Sequence, residues 1–243
     1  MGLFDFLKKS KVNKEKKCAV VIVAAGNSSR MGTDKTMMEL NGIPVIVRNV
    51  RAFDNIDSVS EIVLVTKQDS IEKLADIVKQ YDLSKVTKVI AGGNSRTESS
   101  FAGVSNVNAK ADLIAIHDGA RPFITEDLIN NCIKAAEQYR AAVPGIKCVD
   151  TMKYVDNEFI AGDIDRNNVI RIQSPQVFDA DLIKGALTNA VEKMIVLTDD
   201  SSAVELMGVK VRVVQGDVNN IKLTTPDDVK IGLSILESRG EKI

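Results

Sequence analysis

Histidine occurs once in the 243 residues, as His117, and cysteine three times, as Cys18, Cys132 and Cys148. A single histidine excludes a histidine-rich metal centre. The cysteines are odd in number, widely spaced and without a C-x-x-C pair, so neither a disulfide framework nor a zinc site is suggested, and a reducing, cytoplasmic compartment is expected. Charge of one sign is also missing: 32 Lys and Arg stand against 33 Asp and Glu, a formal net charge of −1. No global field draws the chain to a phosphate polymer, and nucleic acid is not an expected partner. The longest apolar run, Cys18 to Ala25, has eight residues, where a spanning helix needs about 20. Stable membrane association is therefore not expected. A serine hydrolase would need a G-x-S-x-G elbow, which the chain lacks.

What is present is apolar side chain enough for a core, 44% hydrophobic against 27% charged, which excludes disorder. At roughly 150 residues per domain, the length allows one large domain or two small ones. Residues 1–17 stand apart: six lysines and two acids give them a local +4, leaving −5 for the remainder. This leader has no apolar stretch followed by small residues, so it is not a secretory signal. It reads as a flexible, solubilising tail. Phe4, Phe6 and Leu7 beside Lys8 and Lys9 also permit a short surface anchor, but a single helical turn is marginal in water.

From Cys18 onward, short apolar runs alternate with longer segments of helical period. The pattern predicts an α/β fold, with a mostly parallel, Rossmann-like sheet flanked by helices. Strands are expected at Cys18–Ala25, Glu61–Thr66, Lys88–Ala91, Leu113–Ile116 and Ala141–Pro144. Helices are expected at Asp69–Tyr81, Thr125–Tyr139, Asp181–Lys193 and Ser201–Met207, with a closing helix from about Thr225 that has Pro226 in its first turn. A further strand is expected at Val209–Val214. Thr151 to Gln173 instead alternates polar and apolar residues around Asp156-Asn157 and Asn167-Asn168. That is antiparallel hairpin material, expected to project as a β-arm over about 148–174 from a single domain of residues 18–243. An isolated hairpin needs a covering surface, so a symmetric partner protomer is predicted.

Ligands of open parallel sheets gather beyond the carboxyl ends of the strands. The first strand runs into Ala24-Ala25-Gly26-Asn27-Ser28-Ser29-Arg30-Met31-Gly32. These small residues let backbone amides approach an anion, and the cations Arg30 and Lys35 follow. The loop fits neither G-x-G-x-x-G nor the G-K-[ST] closure of a P-loop, which disfavours a Rossmann dehydrogenase and a P-loop ATPase. It reads as a phosphate cradle, or more plainly as a tight strand-to-helix turn with two solvated cations. Gly92-Gly93-Asn94-Ser95-Arg96 and His117-Asp118-Gly119-Ala120-Arg121-Pro122 follow the third and fourth strands. His117 reads as a backbone-bonded histidine that positions its loop. Asp118 suits magnesium, which takes one or two carboxylates together with phosphate oxygens and water; its plain alternative is an Asx-turn. A reductase is a weaker reading, resting only on Tyr81-x-x-x-Lys85 at a helix end.

The segments AAGNSSRMG, GGNSRTESS, HDGARPF, DTMK, DRNNVIRIQSPQ, TDDSSAVELMG and NIKLTTPDD occur in this order. In that set and sequence the chain resembles the 2-C-methyl-D-erythritol 4-phosphate cytidylyltransferases, over nearly everything after residue 17. The resemblance implies transfer of a cytidylyl group from CTP to a polyol phosphate with release of pyrophosphate, assisted by Mg2+, in non-mevalonate isoprenoid synthesis, by a homodimer joined through the β-arm. Sister enzymes acting on ribitol 5-phosphate share the nucleotide loop, and a non-catalytic nucleotide-binding protein is the remaining alternative. Residue by residue, the resemblance places Ala24, Ala25 and Gly26 in the nucleotide loop and gives Arg30 and Lys35 to transition-state charge. Gly93, Asn94 and Ser99 fall at the cytosine pocket, and Asp118 with Gly119 at the ribose and metal region. Thr151, Arg166, Ser174, Thr198 and Lys222 match positions that bind or orient the acceptor phosphate, with Arg166 reaching the neighbouring protomer's site. Ser174 stands where members often carry threonine, which keeps the hydroxyl.

Overall fold

The computed structural model describes residues 16–26 and 36–241. The leader up to residue 15, and the loop 27–35 that carries Arg30 and Lys35, lie outside the described residues.

Strand β1 (Cys18–Val23) is followed by the short strands β2 (Glu39–Leu40) and β3 (Ile43–Pro44) and by helix α1 (Val45–Asp54). Then come β4 (Val59–Thr66), α2 (Ile71–Gln80), β5 (Val86–Ala91), α3 (Arg96–Ser105), β6 (Leu113–Asp118) and α4 (Glu126–Tyr139). The second half holds β7 (Ala141–Lys147), β8 (Met152–Asp156), β9 (Phe159–Ile164), β10 (Ile170–Ile172) and β11 (Gln176–Asp179). It ends with α5 (Ala180–Glu192), α6 (Ser201–Leu206), β12 (Arg212–Gln215) and α7 (Pro226–Ser238).

β1 pairs in parallel with β4 on one side and β6 on the other, and β4 continues to β5. β11 runs antiparallel to β6 and to the first half of β7. β10 lies beside the second half of β7 on that same side, and β12 pairs in parallel along the opposite edge. Because β1 is covered on both faces, it reads as a continuous apolar run, and its alternate side chains enter separate cores. Cys18, Val20 and Ile22 pack with Ile46, Val50 and Phe53 of α1 and with Ile129 and Cys132 of α4. Ala19 and Val21 pack with Val104 of α3 and with Ile183, Ala186 and Leu187 of α5.

The expected strands and helices are all present, mostly with ends shifted by one to three residues. The arm differs. β8 and β9 form their own two-stranded antiparallel sheet, closed by a turn in which Asn157 and Glu158 both take positive φ. Residues 170–172, expected within the arm, return to the main sheet as β10. The alternation of Ile170 and Ile172 suits either place, and pairing with β7 satisfies backbone groups that a free arm would leave to water. Asn167-Asn168 is not a hairpin turn but the end of a short 3-10 turn, in which Asp165 Oδ1 accepts the Asn167 N–H.

Candidate active site

From β1 the chain crosses to β4 and β5 on one side, then to β6 on the other. The order reverses at β1, and the crevice beyond the strand ends there is where a parallel sheet exposes backbone amides to a ligand. A cavity of about 530 Å³ opens at that point. It is lined from β1 by Ala24, Ala25 and Gly26, from β5 by Gly92, Gly93 and Asn94, from α3 by Arg96 and Ser99, and from β6 by Asp118 and Gly119. Lys222 reaches it from the segment before α7. Glycine at 92 and 93 is a spatial requirement: a Cβ on Gly92 would stand 2.6 Å from Ser99 Oγ and 2.7 Å from Ala25 Cβ, and one on Gly93 only 2.3 Å from Glu98 Cβ.

The Gly92–Ser95 turn is closed onto the first turn of α3. Ser95 Oγ caps Glu98 N at 3.1 Å, Glu98 Oε2 accepts Asn94 N–H at 2.8 Å, and Ser99 Oγ accepts Gly93 N–H at 3.2 Å while donating to Ser95 O at 2.9 Å. These bonds tie the wall to α3, and its small residues line the cavity.

A second cavity, about 570 Å³, adjoins the first. Ser174, Thr198, Arg121, Ser201 and Ser202 line its polar side, and Val143, Ile170, Ile172 and Val213 its apolar side. Among the described residues, three border both cavities: Arg96, Asp118 and Lys222. Their charges meet at Asp118, whose Oδ2 lies 3.0 Å from Lys222 Nζ and 3.4 Å from Arg121 Nε, and whose Oδ1 lies 3.5 Å from Arg96 Nη2. Burial alone would raise the Asp118 pKa; the three cations overcome it and hold the carboxyl well below the usual range. Arg96 is anchored from behind by the buried Asp200 at 2.6 Å. Against the burial that would favour loss of its proton, Asp200 and Asp118 keep Arg96 firmly charged.

The structure therefore gathers Ala24, Ala25, Gly26, Gly93, Asn94, Ser99, Asp118, Gly119 and Lys222 around one cavity, and Ser174 and Thr198 around its neighbour. Arg30 and Lys35 lie outside the described residues. Thr151 and Arg166 line neither cavity; both are exposed, and Arg166 Nη1 donates to Val149 O at 2.6 Å. Arg96 and Arg121 were not singled out from the sequence as site residues, although each lies within a recognised motif. Position in a motif did not distinguish them; their distance to Asp118 does. Tyr81 and Lys85 are used structurally, with the Tyr81 ring under Arg51 and Lys85 Nζ donating to Ile56 O.

Among the described residues no group of three or more metal-ligating side chains is found. Of the described residues Asp118 is the one carboxylate bordering both cavities, and its oxygens are shared with three cations. A lone carboxylate offers a magnesium ion at most one protein ligand, so most of its coordination would have to come from phosphate oxygens and water.

A profile of the 2-C-methyl-D-erythritol 4-phosphate cytidylyltransferase family (IspD) matches residues 18–238. The chain belongs to that family. It is 41% identical over 217 residues to the cytidylyltransferase of that name from Caldanaerobacter subterraneus, covering 88% of this chain and 96% of the relative. To the Clostridium novyi enzyme it is 40% identical over 227 residues, covering 92% and 97%. The fold superposes with a TM-score of 0.82 on the crystal structure of 4-diphosphocytidyl-2C-methyl-D-erythritol synthase from Anaerococcus prevotii, at 30% identity and with 92% and 97% covered. A cytidylyltransferase has to bring two anionic substrates together, and here two adjoining cavities share a charged border.

Proposed function

We infer that the chain transfers a cytidylyl group from CTP to 2-C-methyl-D-erythritol 4-phosphate, giving 4-diphosphocytidyl-2-C-methyl-D-erythritol and pyrophosphate, in the non-mevalonate isoprenoid pathway. The observation that carries this reading is the border of Arg96, Asp118 and Lys222 between the two cavities. CTP occupies the glycine-walled cavity and the polyol phosphate its neighbour, and Lys222 faces both phosphate groups.

The acceptor phosphate needs no side-chain base, because its second pKa is about 6 and it is already a dianion near neutral pH. One of its oxygens attacks the α-phosphorus of CTP. The new P–O bond forms as the bond from the α-phosphorus to its bridging oxygen breaks, and pyrophosphate leaves with that electron pair. Repulsion between two polyanions is the main obstacle, so catalysis is positioning and charge stabilisation. Lys222 and Arg96 supply fixed positive charge at the border, and Arg30 and Lys35 add theirs from the nucleotide loop. Asp118 would hold a magnesium ion, which would supply further charge neutralisation when bound.

The β8–β9 arm supports the homodimer. Tyr154, Val155, Phe159 and Ile160 are 60–77% exposed on it, an apolar surface that a twin subunit would cover. Thr151 and Arg166 sit at its base, away from their own chain's cavities, and serve the partner's acceptor site. Cys18, Cys132 and Cys148 are free thiols, and burial pushes Cys18 and Cys132 up to about 12. This suits the cytoplasm. No helix among the described residues is long and apolar enough to cross a membrane.

Pyrophosphate release measured with magnesium, each of four nucleoside triphosphates and a panel of polyol phosphates tests the reading. Turnover with CTP and 2-C-methyl-D-erythritol 4-phosphate is expected. Preference for ribitol 5-phosphate would overturn the acceptor, and no release with any pair would overturn the activity.

A further inference from the structure

His117 is fully buried at the end of β6, with its ring edge-on to Phe53 at a centroid distance of 5.2 Å. Its hydrogen-bond partners determine where its proton sits. Asn49, also fully buried, spends both amide hydrogens, one on Val45 O at 3.0 Å and one on Gly119 O at 2.9 Å. The Asn49 Oδ1 that lies 2.9 Å from His117 Nε2 is therefore an acceptor, as is Arg121 O at 3.1 Å from the same nitrogen. Nε2 must carry the hydrogen, and Nδ1 presents a lone pair. Ser174 Oγ, 3.0 Å from Nδ1, donates its one hydrogen there. With that hydrogen spent, the Ser174 oxygen accepts Asp118 N–H at 3.0 Å.

These bonds fasten the turn after β6 at three main-chain atoms: Asp118 N through Ser174, Gly119 O through Asn49, and Arg121 O through the imidazole itself. The same serine is joined to the segment carrying Lys222. Asn220 Nδ2 donates to Ser174 O at 2.9 Å, and Asn220 O accepts from Arg121 Nη1 at 2.8 Å. Leu223 N, next to Lys222, donates to Ala120 O at 2.8 Å. Both residues that border the two cavities from this side are thus tied to one buried cluster.

We propose that Asn49, His117 and Ser174 form a positioning relay that sets Asp118 relative to Lys222 for the transfer step, and that the Ser174 hydroxyl serves this relay rather than binding the acceptor phosphate. The proposal rests on the cytidylyl-transfer reading for its kinetic part and on geometry alone for its hydrogen-bond part. A hydroxyl whose hydrogen is committed to an imidazole offers no donor to a phosphate. It controls instead the amide, and with it the direction of the Asp118 side chain. Misplacement of such a group by about 1 Å costs up to a hundredfold in rate.

The experiment has two arms. In the first, the single histidine is labelled with 15N in the intact ligand-free chain and its ring nitrogens are read by NMR at pH 7. The Nε2–H form, with Nδ1 unprotonated, is expected; an Nδ1–H form overturns the relay whatever the enzyme does. In the second, steady-state kinetics are measured for the wild type, Ser174→Ala and Ser174→Thr. Ser174→Ala is expected to lower kcat by about ten- to a hundredfold, with KM for both substrates within about twofold, and Ser174→Thr to restore most of the loss. A raised acceptor KM at unchanged kcat in Ser174→Ala would make the hydroxyl a direct phosphate ligand, and unchanged kinetics would remove it from the reaction; either overturns the proposal. An inactive wild type with the expected 15N pattern would fault the transfer reading and leave the hydrogen-bond relay standing.

Discussion

Lys222 Nζ lies 3.0 Å from Asp118 Oδ2, an ion pair closed between positions 104 residues apart. The pair stands between the two cavities. On the proposed reading, a phosphate entering from either side meets the ammonium and must share it with Asp118. Replacing Lys222 by alanine should lower kcat by about a hundredfold or more, the cost of removing one preorganised donor. Circular dichroism should show an intact fold, because Lys222 is partly exposed. Near wild-type turnover in a folded Lys222→Ala chain would remove it from the reaction.

Arg96 tests whether the border needs its rear anchor. Alanine there would strand the buried Asp200, a change that costs about 3–5 kcal/mol of stability by itself. Asp200→Asn is the cleaner variant, since it keeps shape and loses only the charge holding the guanidinium. It should lower kcat by about tenfold or more, with less effect on KM for CTP. The reverse pattern, a raised KM at constant kcat, would assign Arg96 to ground-state binding.

Gly93→Ala should weaken CTP selectively. The new Cβ would lie 2.3 Å from Glu98 Cβ, so either the turn or the start of α3 must shift. KM for CTP is expected to rise by about tenfold while KM for the acceptor stays within about twofold. Equal rises for both substrates would mean that this wall does not face the nucleotide alone.

Acid should act on stability and on rate through different groups. Burial depresses His117 from 6.5 to about 4. The unfolded chain therefore binds a proton between those values that the folded chain refuses, and stability rises with pH through that window. On the order of 3 kcal/mol is present above pH 6.5 and is lost as pH falls toward 4. Urea titrations in metal-free buffer at pH 7, 5.5 and 4.5 should show a steeper decline in the wild type than in His117→Asn. Parallel declines would mean that the imidazole is not the group responsible. The rate should instead fall below about pH 6, where the acceptor phosphate gains a proton, because Asp118 remains ionised far below that point.

Subunit mixing tests the arm. Arg166→Ala and Lys222→Ala, each nearly inactive, should regain up to about a quarter of wild-type activity when co-refolded in equal amounts. Half of the dimers are then mixed, and one of the two sites in each has both native residues. No recovery, with mixed dimers demonstrated by mass spectrometry, would place both residues in the same chain's site.

Much of the fold was legible because its causes are local. Cys18 to Val23 has no polar residue and had to be a strand covered on both faces; Thr125 and Pro226 mark helix starts by capping chemistry that operates within one turn. Helix α1 was not anticipated: Val45 to Asp54 contains three valines and no acid in its first turn. Its helical state follows from packing Ile46, Val50 and Phe53 on the first core. β11 was missed for a related reason, since four residues after a proline carry too little pattern and only pairing with β6 and β7 defines them. In the site, glycines and lone charged residues at strand ends pointed to the crevice. Arg96 and Arg121 carried no signal beyond their neighbours, because their role lies in distances to Asp118.

By itself the sequence determined the α/β class, the strand-end loops able to meet a phosphate, and the ordered set of motifs. All three depend on residues near one another in the chain, where alternation, capping and small side chains act directly. Only the tertiary structure decided that residues 170–172 rejoin the main sheet, that three cations converge on one carboxylate, and that Ser174 faces a histidine before it faces a ligand. Those outcomes depend on which distant segments share a buried volume. There, every hydrogen and lone pair has to find a partner, and the partners come from β6, α1 and the segments before β11 and α7 together.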